Sequence, residues 1–427
     1  MKYLFMEVIF TRIATGLPRF CRMRLFIPGI FLLFFSHAAL AAVFGKVVQP
    51  FASYTFTADD NILRIRDKMD PLPLFGTNNL FDMSQRFTGG VILEKEISRQ
   101  RLSANFNWTH TRFEKFDQMN NDLKNFSGNW NWLLGNRLEG NMGASYAQSL
   151  AMFLFQPGLK NIRTEQTAFI NAAWRLHPSW RLHGEYTRYD LNTDSPNNRL
   201  RFLNRTEDQF ESGIDYLASG KNTIGVLFRY INGNFSEPVP LLSGSFADNG
   251  YTQKEAMSKV NWIISGKSSF LVHGGWVERE NASFAERDFS GFNARAIYQW
   301  QPTGKTGLAI TGWRETAARQ HLTASFSLNT GVSVVPFWNL TEKIRLEGDL
   351  SYETRNFSRF AIFTDPELEI GRNNTVRNAT VRLIYSPYRG LQLSASAYHS
   401  DLKSDSRLGG FNANGANINL HYTYGKQ

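Results

Sequence analysis

The sequence predicts an all-β protein, a transmembrane antiparallel up-and-down β-barrel of about 18 strands after a cleaved signal peptide. Three observations carry this expectation. Apolar and polar residues alternate with a period of two over most of the chain, short turns alternate with longer polar connections, and the N-terminal segment reads as an export signal.

The alternation is clearest at residues 166–190. Ala168, Ile170, Ala172, Trp174 and Leu176 interleave with Thr167, Phe169, Asn171, Ala173 and Arg175. After His177-Pro178-Ser179 the pattern resumes, with Trp180, Leu182, Gly184 and Tyr186 set against Arg181, His183, Glu185 and Thr187. Successive strand side chains point to opposite faces, so one face is apolar and aromatic and the other carries charge and amides. Pro178 donates no ladder hydrogen bond and therefore marks the turn between two strands.

Export is expected from the first 41 residues. Arg19, Arg22 and Arg24 precede an apolar run over residues 25–35, and Ala39-Leu40-Ala41 supplies a small-x-small cleavage signature. Residues 1–41 are thus expected to be a signal peptide and residues 42–427 the barrel. The single cysteine, Cys21, lies in the segment to be removed, so disulfides and cysteine-ligated metals are excluded from the mature chain. Removing five basic residues and one acidic residue from 47 and 37 leaves a balance of +6. No basic block accompanies it, which argues against a nucleic-acid partner.

In chain order, strands are expected near 46–57, 85–95, 99–113, 122–133, 137–149, 163–176, 180–190, 205–217 and 221–234. They continue near 251–264, 268–280, 286–300, 305–315, 320–336, 342–357, 372–386, 390–403 and 414–424. Short turns fall at 97–98, 135–136, 177–179, 218–220, 265–267, 301–304, 338–341 and 387–389. Between them lie generally longer polar segments, such as 58–84, 150–162, 191–204, 235–250, 358–371 and 404–413. Outer-membrane barrels have this rhythm, with short periplasmic turns and longer extracellular loops. Trp132, Trp180, Tyr216, Trp300 and Tyr385 stand at strand ends, where an interfacial aromatic girdle is expected.

Several segments stand in the order found in one family. They are Asp59-Asp60-Asn61-Ile62-Leu63-Arg64, Ile97-Ser98-Arg99-Gln100-Arg101-Leu102, Trp130-Asn131-Trp132, Ser265-Gly266-Lys267-Ser268, Arg287-Asp288-Phe289-Ser290-Gly291 and Thr303-Gly304-Lys305-Thr306. In these the chain resembles EpsL-type proteins, outer-membrane barrels of exopolysaccharide operons that often accompany an exosortase. The resemblance covers nearly the whole mature chain and implies a role in making or exporting an extracellular polysaccharide. It supplies no catalytic residues.

Motifs of other chemistries are incomplete. Gly266-Lys267-Ser268 and Gly304-Lys305-Thr306 end like phosphate-binding loops, but Asn261 and Gln299 replace the earlier glycine, and each joins two strands. A hairpin turn is the simpler expectation. Asp59, Asp60 and Asn61 carry calcium-type oxygens without a following glutamate, so they read as the start of a solvated loop. The histidines show no metal-ligand spacing, and no Gly-x-Ser-x-Gly motif occurs. No cofactor and no metal are expected.

The candidate substrate contacts are the basic residues of the polar faces: Arg101, Arg181, His183, Arg229, Arg295, Arg345 and Arg382. Guanidinium groups clamp carboxylates, so an arginine-lined lumen would favour acidic sugars. Glu139, Glu185, Asp215, Glu347 and Asp349 fall on the same faces, and cross-strand pairing is the alternative use of these arginines. The expected partners are outer-membrane lipid, the exopolysaccharide and periplasmic export proteins. The leading expectation is a non-enzymatic channel for polysaccharide. A barrel enzyme acting on glycan or lipid, and a structural adaptor of a secretion complex, are the alternatives.

Overall fold

Period-two alternation makes strands because it puts one kind of environment on each face of a pleated ribbon, and all 18 expected strands form. The computed structural model describes residues 47–150, 160–194, 201, 204–240, 245–283, 285, 288–318, 326–357, 373–405 and 409–425. The expected signal peptide lies outside the described residues, as do His321 and large parts of several expected loops.

The first nine strands are β1 (Val48–Asp59), β2 (Asp82–Ile97), β3 (Gln100–Phe113), β4 (Asn121–Leu134), β5 (Leu138–Leu150), β6 (Ile162–His177), β7 (Trp180–Asp194), β8 (Arg205–Leu217) and β9 (Thr223–Phe235). The second nine are β10 (Tyr251–Ser265), β11 (Ser268–Asn281), β12 (Phe289–Trp300), β13 (Thr306–Ala318), β14 (Phe326–Asn339), β15 (Ile344–Phe357), β16 (Asn373–Tyr388), β17 (Leu391–Ser404) and β18 (Phe411–Thr423). Each pairs antiparallel with its neighbours in sequence, giving one 18-stranded sheet. The last strand returns to the first, with Phe51 opposite Thr423 and Asp59 opposite Gly415, so the sheet closes and leaves no edge.

Short turns occupy one end of the barrel and longer loops the other. The tightest turns place residues in the left-handed region, Ser98 at φ 55°, Gly135 at 61° and Gly390 at 87°. The two phosphate-loop look-alikes are hairpin turns: Ser265 accepts from the Lys267 amide, and Thr303 accepts from the amides of Lys305 and Thr306.

Some boundaries differ from the sequence expectation. β14 is described from Phe326, its expected start near 320 lying outside the described residues, and it runs on to Asn339 because Trp338 and Asn339 pair with Leu346 and Arg345 of β15 instead of turning. β1 and β2 reach further into the first loop, to the directly opposed carboxylates Asp59 and Asp82. Like charges face each other there because each is held separately. Asp82 accepts from the backbone amides of Met83, Lys115 and Phe116, while Asp59 is clasped by Arg64.

The outward face is apolar across the span. On β3 and β4 it carries Leu102, Phe106, Phe126 and Trp130, and on β15 and β16 Leu350, Val381 and Leu383, all exposed. At the turn end, exposed Trp180, Tyr216, Trp300 and Tyr385 point outward, with Trp180 and Tyr216 packed edge to face at 5.1 Å. Toward the loop end, Trp108, Trp276 and Tyr352 also face outward. Beyond them the outward positions become ionic, as in His110–Asp122, Arg188–Asp208 and Lys254–Glu280. An apolar belt between two aromatic girdles, bounded by charge, is what a bilayer requires of a barrel wall. No helix among the described residues is long and apolar enough to cross a membrane; the strands do so.

Candidate functional site

Register decides what the lumen contains. Arg101, Arg181, His183, Arg229, Arg295, Arg345 and Arg382 all lie on inward-facing positions, on β3, β7, β9, β12, β15 and β16. The fold brings several of them together. Arg181 donates to Asp215 Oδ2 through Nη2 at 2.6 Å and Nε at 3.1 Å, and to Glu139 through Nη1 at 3.3 Å. His183, opposite Gly213, places Nδ1 3.4 Å from Asp215 and Nε2 3.7 Å from Glu211. Arg229 then joins Glu211, at 2.7 Å from Nη2, to Glu255, at 2.8 Å from Nη1. One ionic network therefore runs across six strands, from β5 to β10.

The other four stand in separate groups. Arg295 is held by both carboxylate oxygens of Glu315, at 2.6 and 2.9 Å, and lies over the Trp313 ring. Arg345 lies 2.7 Å from Glu347 and 4.2 Å over the Phe337 ring, and Arg382 reaches the same Glu347 at 3.9 Å. Arg101, near the turn end and well exposed, meets Glu96 at 3.8 Å. Each of the six arginines thus has a carboxylate beside it within the wall. The exposed pairs, such as Arg101–Glu96, contribute little stability, but all of them fix side-chain positions and cancel local charge.

Other inward residues were not singled out from the sequence. Arg279 is nearly fully buried, lies 3.4 Å over the Tyr251 ring and donates to Gln253. Alternation on β11 places Arg279 inward, so its face was legible; its contact with Tyr251 depends on register. Lys259 and Arg86 also face inward, and neither has a carboxylate partner among the described residues.

The wall is chemically two-sided. β17, β18 and β1 to β5 present mostly hydroxyl and amide groups to the lumen. Asn419 donates to Ser53 and Thr55, Ser396 to Asn417, and Asn125 to Asn107. Next to the ionic network is a cavity of about 470 Å³, lined by Asn131, Asn141, Asn171, Arg181, Glu185 and Asp215 among others. No cluster of three or more histidine and carboxylate ligands occurs among the described residues.

At the loop end the first long connection folds against the barrel instead of standing free. Leu63 and Ile65 are buried with Phe113, Phe116 and Met119. Arg64, at φ 55°, donates to both oxygens of Asp59 at 2.9 and 2.8 Å, and the Tyr398 hydroxyl donates to the same carboxylate. Asp67 and Arg66 bond the backbone oxygens of Gly410 and Gly409. Asp59 and Asn61, expected at the start of a solvated loop, are instead buried in an ion-paired latch, because Arg64 and Tyr398 hold the Asp59 carboxylate.

One family model and several solved structures resemble this chain. Residues 267–424 match the family model described as "Putative beta-barrel porin 2". Among solved structures the chain is similar to the outer-membrane protein OpdK of Pseudomonas aeruginosa, with 9% identity, covering 88% of this chain and 99% of that one, at a TM-score of 0.44. It is similar to OccAB3 of Acinetobacter baumannii, with 10% identity, 88% and 99% coverage and a TM-score of 0.44. It is also similar to a BenF-like porin of Pseudomonas fluorescens Pf-5, with 10% identity, 88% and 98% coverage and a TM-score of 0.45. No curated protein matches the sequence. The closed barrel, its apolar belt and the family match over the C-terminal strands make this chain a porin-like β-barrel of the Gram-negative outer membrane.

Proposed function

We propose that the barrel is a non-enzymatic, passive channel through which an exopolysaccharide reaches the cell surface. One observation carries the reading: the six sequence-predicted luminal arginines each have a wall carboxylate beside them, and the facing arc is mostly hydroxyl and amide. Such a wall offers a polymer many weak hydrogen bonds and no deep charged trap, and conduction requires contacts weak enough to release. The resemblance to EpsL-type proteins supports polysaccharide as the cargo. Outer-membrane lipid surrounds the belt, and periplasmic export proteins would deliver the polymer to the turn end.

Locating the polymer in a deletion strain tests the proposal. Polymer accumulating in the periplasm is the expected result. Secreted polymer of normal amount but altered length would overturn it in favour of a barrel enzyme.

A further inference from the structure

On the lumen side of β4, β5 and β6 an aromatic ring sits in a field of amides. Phe169 of β6 is directly opposite Gly143 of β5, and Gly143 is opposite Asn129 of β4. All three positions face inward. Gly143 leaves room for the ring: a methyl group added there would come within 2.8 Å of Phe169 Cζ and 2.6 Å of the Gly128 carbonyl oxygen. Phe169 is only half buried, and it interrupts an otherwise polar face.

The groups around the ring have hydrogen-bonding capacity to spare. Asn129 Oδ1 is shielded and has no partner. Asn131, Ser127 and Ser145, on the same face, make no side-chain hydrogen bond among the described residues. One rung toward the turns, Asn131, Asn141, Asn171 and Glu185 follow across four strands, with Asn171 donating to Asn141 at 2.6 Å and to Glu185 at 3.5 Å. This rung lines the cavity of about 470 Å³, which lies in the usual range for small-ligand sites of about 300–1,000 Å³.

We infer that this part of the wall is a binding station for an uncharged pyranose unit, with the ring's C–H face on Phe169 and its hydroxyls on Asn129, Asn131 and Glu185. The inference rests on the proposed passage of a glycan and names the sugar class it favours. An aromatic face takes the C–H side of a sugar, and side-chain amides, which both donate and accept, suit hydroxyls, which do the same. Charge selects against acidic sugars. Glu185 receives bonds only from Asn171 and Thr187 and has no basic partner among the described residues. Glu139, Glu211 and Asp215, which also line the cavity, share it with Arg99, Arg181, His183 and Lys259, so Glu185 is the carboxylate of the lining that stands nearest the ring without a basic partner. A carboxylate seated on Phe169 would meet the unpaired charge of Glu185.

Single-channel recording in planar bilayers, with maltohexaose and hexagalacturonate as neutral and acidic probes, tests the station. Maltohexaose should interrupt the current with dwell times about tenfold longer than hexagalacturonate, and Phe169→Ala should shorten them about tenfold while Phe169→Trp preserves them. Glu185→Gln should lengthen the acidic probe's dwell time. The unblocked conductance of each variant reports that it has folded. Longer block by the acidic sugar, or neutral block indifferent to Phe169→Ala, would overturn the station while leaving glycan passage standing. A conducting channel that neither sugar interrupts would overturn the passage reading itself.

Discussion

Arg181 on β7 and Asp215 on β8 stand directly opposite each other in the lumen, and Asp215 is almost completely shielded while its partner keeps a quarter of its surface exposed. The carboxylate depends on this guanidinium and on the nearby imidazole of His183. Asp215→Ala leaves Arg181 with only the longer contact to Glu139. The expected cost is roughly 3 kcal/mol, the lower end for breaking a shielded pair. Urea titration of the barrel in detergent, read by the mobility of unheated samples on gels, measures it. A midpoint equal to that of the unsubstituted protein would show that the pair contributes nothing.

Gly213 is the counterpart of His183 across the same strand pair, and a Cβ there would lie 2.6 Å from the imidazole Cε1 and from the backbone oxygen of Val226. The ring can turn away, but the carbonyl cannot. Gly213→Val should therefore destabilise the barrel by about 1–3 kcal/mol through overpacking. It should also displace His183, visible as changed imidazole chemical shifts by NMR. Normal stability would mean that the strand shifts more easily than its ladder implies.

On β15 the two faces separate conduction from assembly. Arg345→Glu acts on the lumen and should leave heat-modifiable migration intact while shifting the ion preference toward cations, measured as reversal potential in a salt gradient. Leu350→Arg acts on the outward face near mid-span, where arginine costs roughly 2–4 kcal/mol, and should reduce the assembled fraction in outer-membrane preparations. Leu346 is a poorer place for that test. It is opposite Trp338 close to the turn, and the penalty near the interface falls to about 0–1 kcal/mol.

The latch of the first loop offers a fourth test. Asp59→Ala removes the two hydrogen bonds that Arg64 makes to this carboxylate and those from the Asn61 amide and Tyr398, so the loop should lose its hold on the barrel end. Protease added to intact cells should then cut within residues 60–81 at least about threefold faster, as local opening becomes cheaper by a fraction of a kcal/mol or more. Arg64→Gly should give a similar but smaller effect, because glycine tolerates the left-handed backbone while the ion pair is lost. Unchanged cleavage in both would place the hold in the buried cluster around Leu63 and Phe116 instead.

Strand number and strand faces were legible because a period of two is written in the chain itself: Arg345, Glu347 and Asp349 alternate with Leu346, Gly348 and Leu350. The arginine partners were not legible in detail. Glu139 reaches Arg181 from 42 residues away and Glu255 reaches Arg229 from 26, and only register brings them together. Alternation puts Phe169 on the polar face, but only register places Gly143 opposite it. In the first loop, Leu63 and Ile65 sit in a polar stretch with no periodicity, so their burial against Phe116 and Met119 left no pattern to read.

The seam between β1 and β18 has a consequence for how the molecule is made. The contacts that complete the cylinder join residues more than 350 positions apart, such as Asn419 with Thr55, and the Tyr424 amide with the Pro50 carbonyl. Local hairpins can form early, but the closing ladder is the most distant pairing in the chain and the slowest to find. Losing the final strand would leave β1 and β17 as two open edges in lipid, where unpaired amides cost several kcal/mol each and the sheet has no stable form. The outer edge of β1 must therefore stay unpaired until β18 arrives, however early its hairpin with β2 has formed.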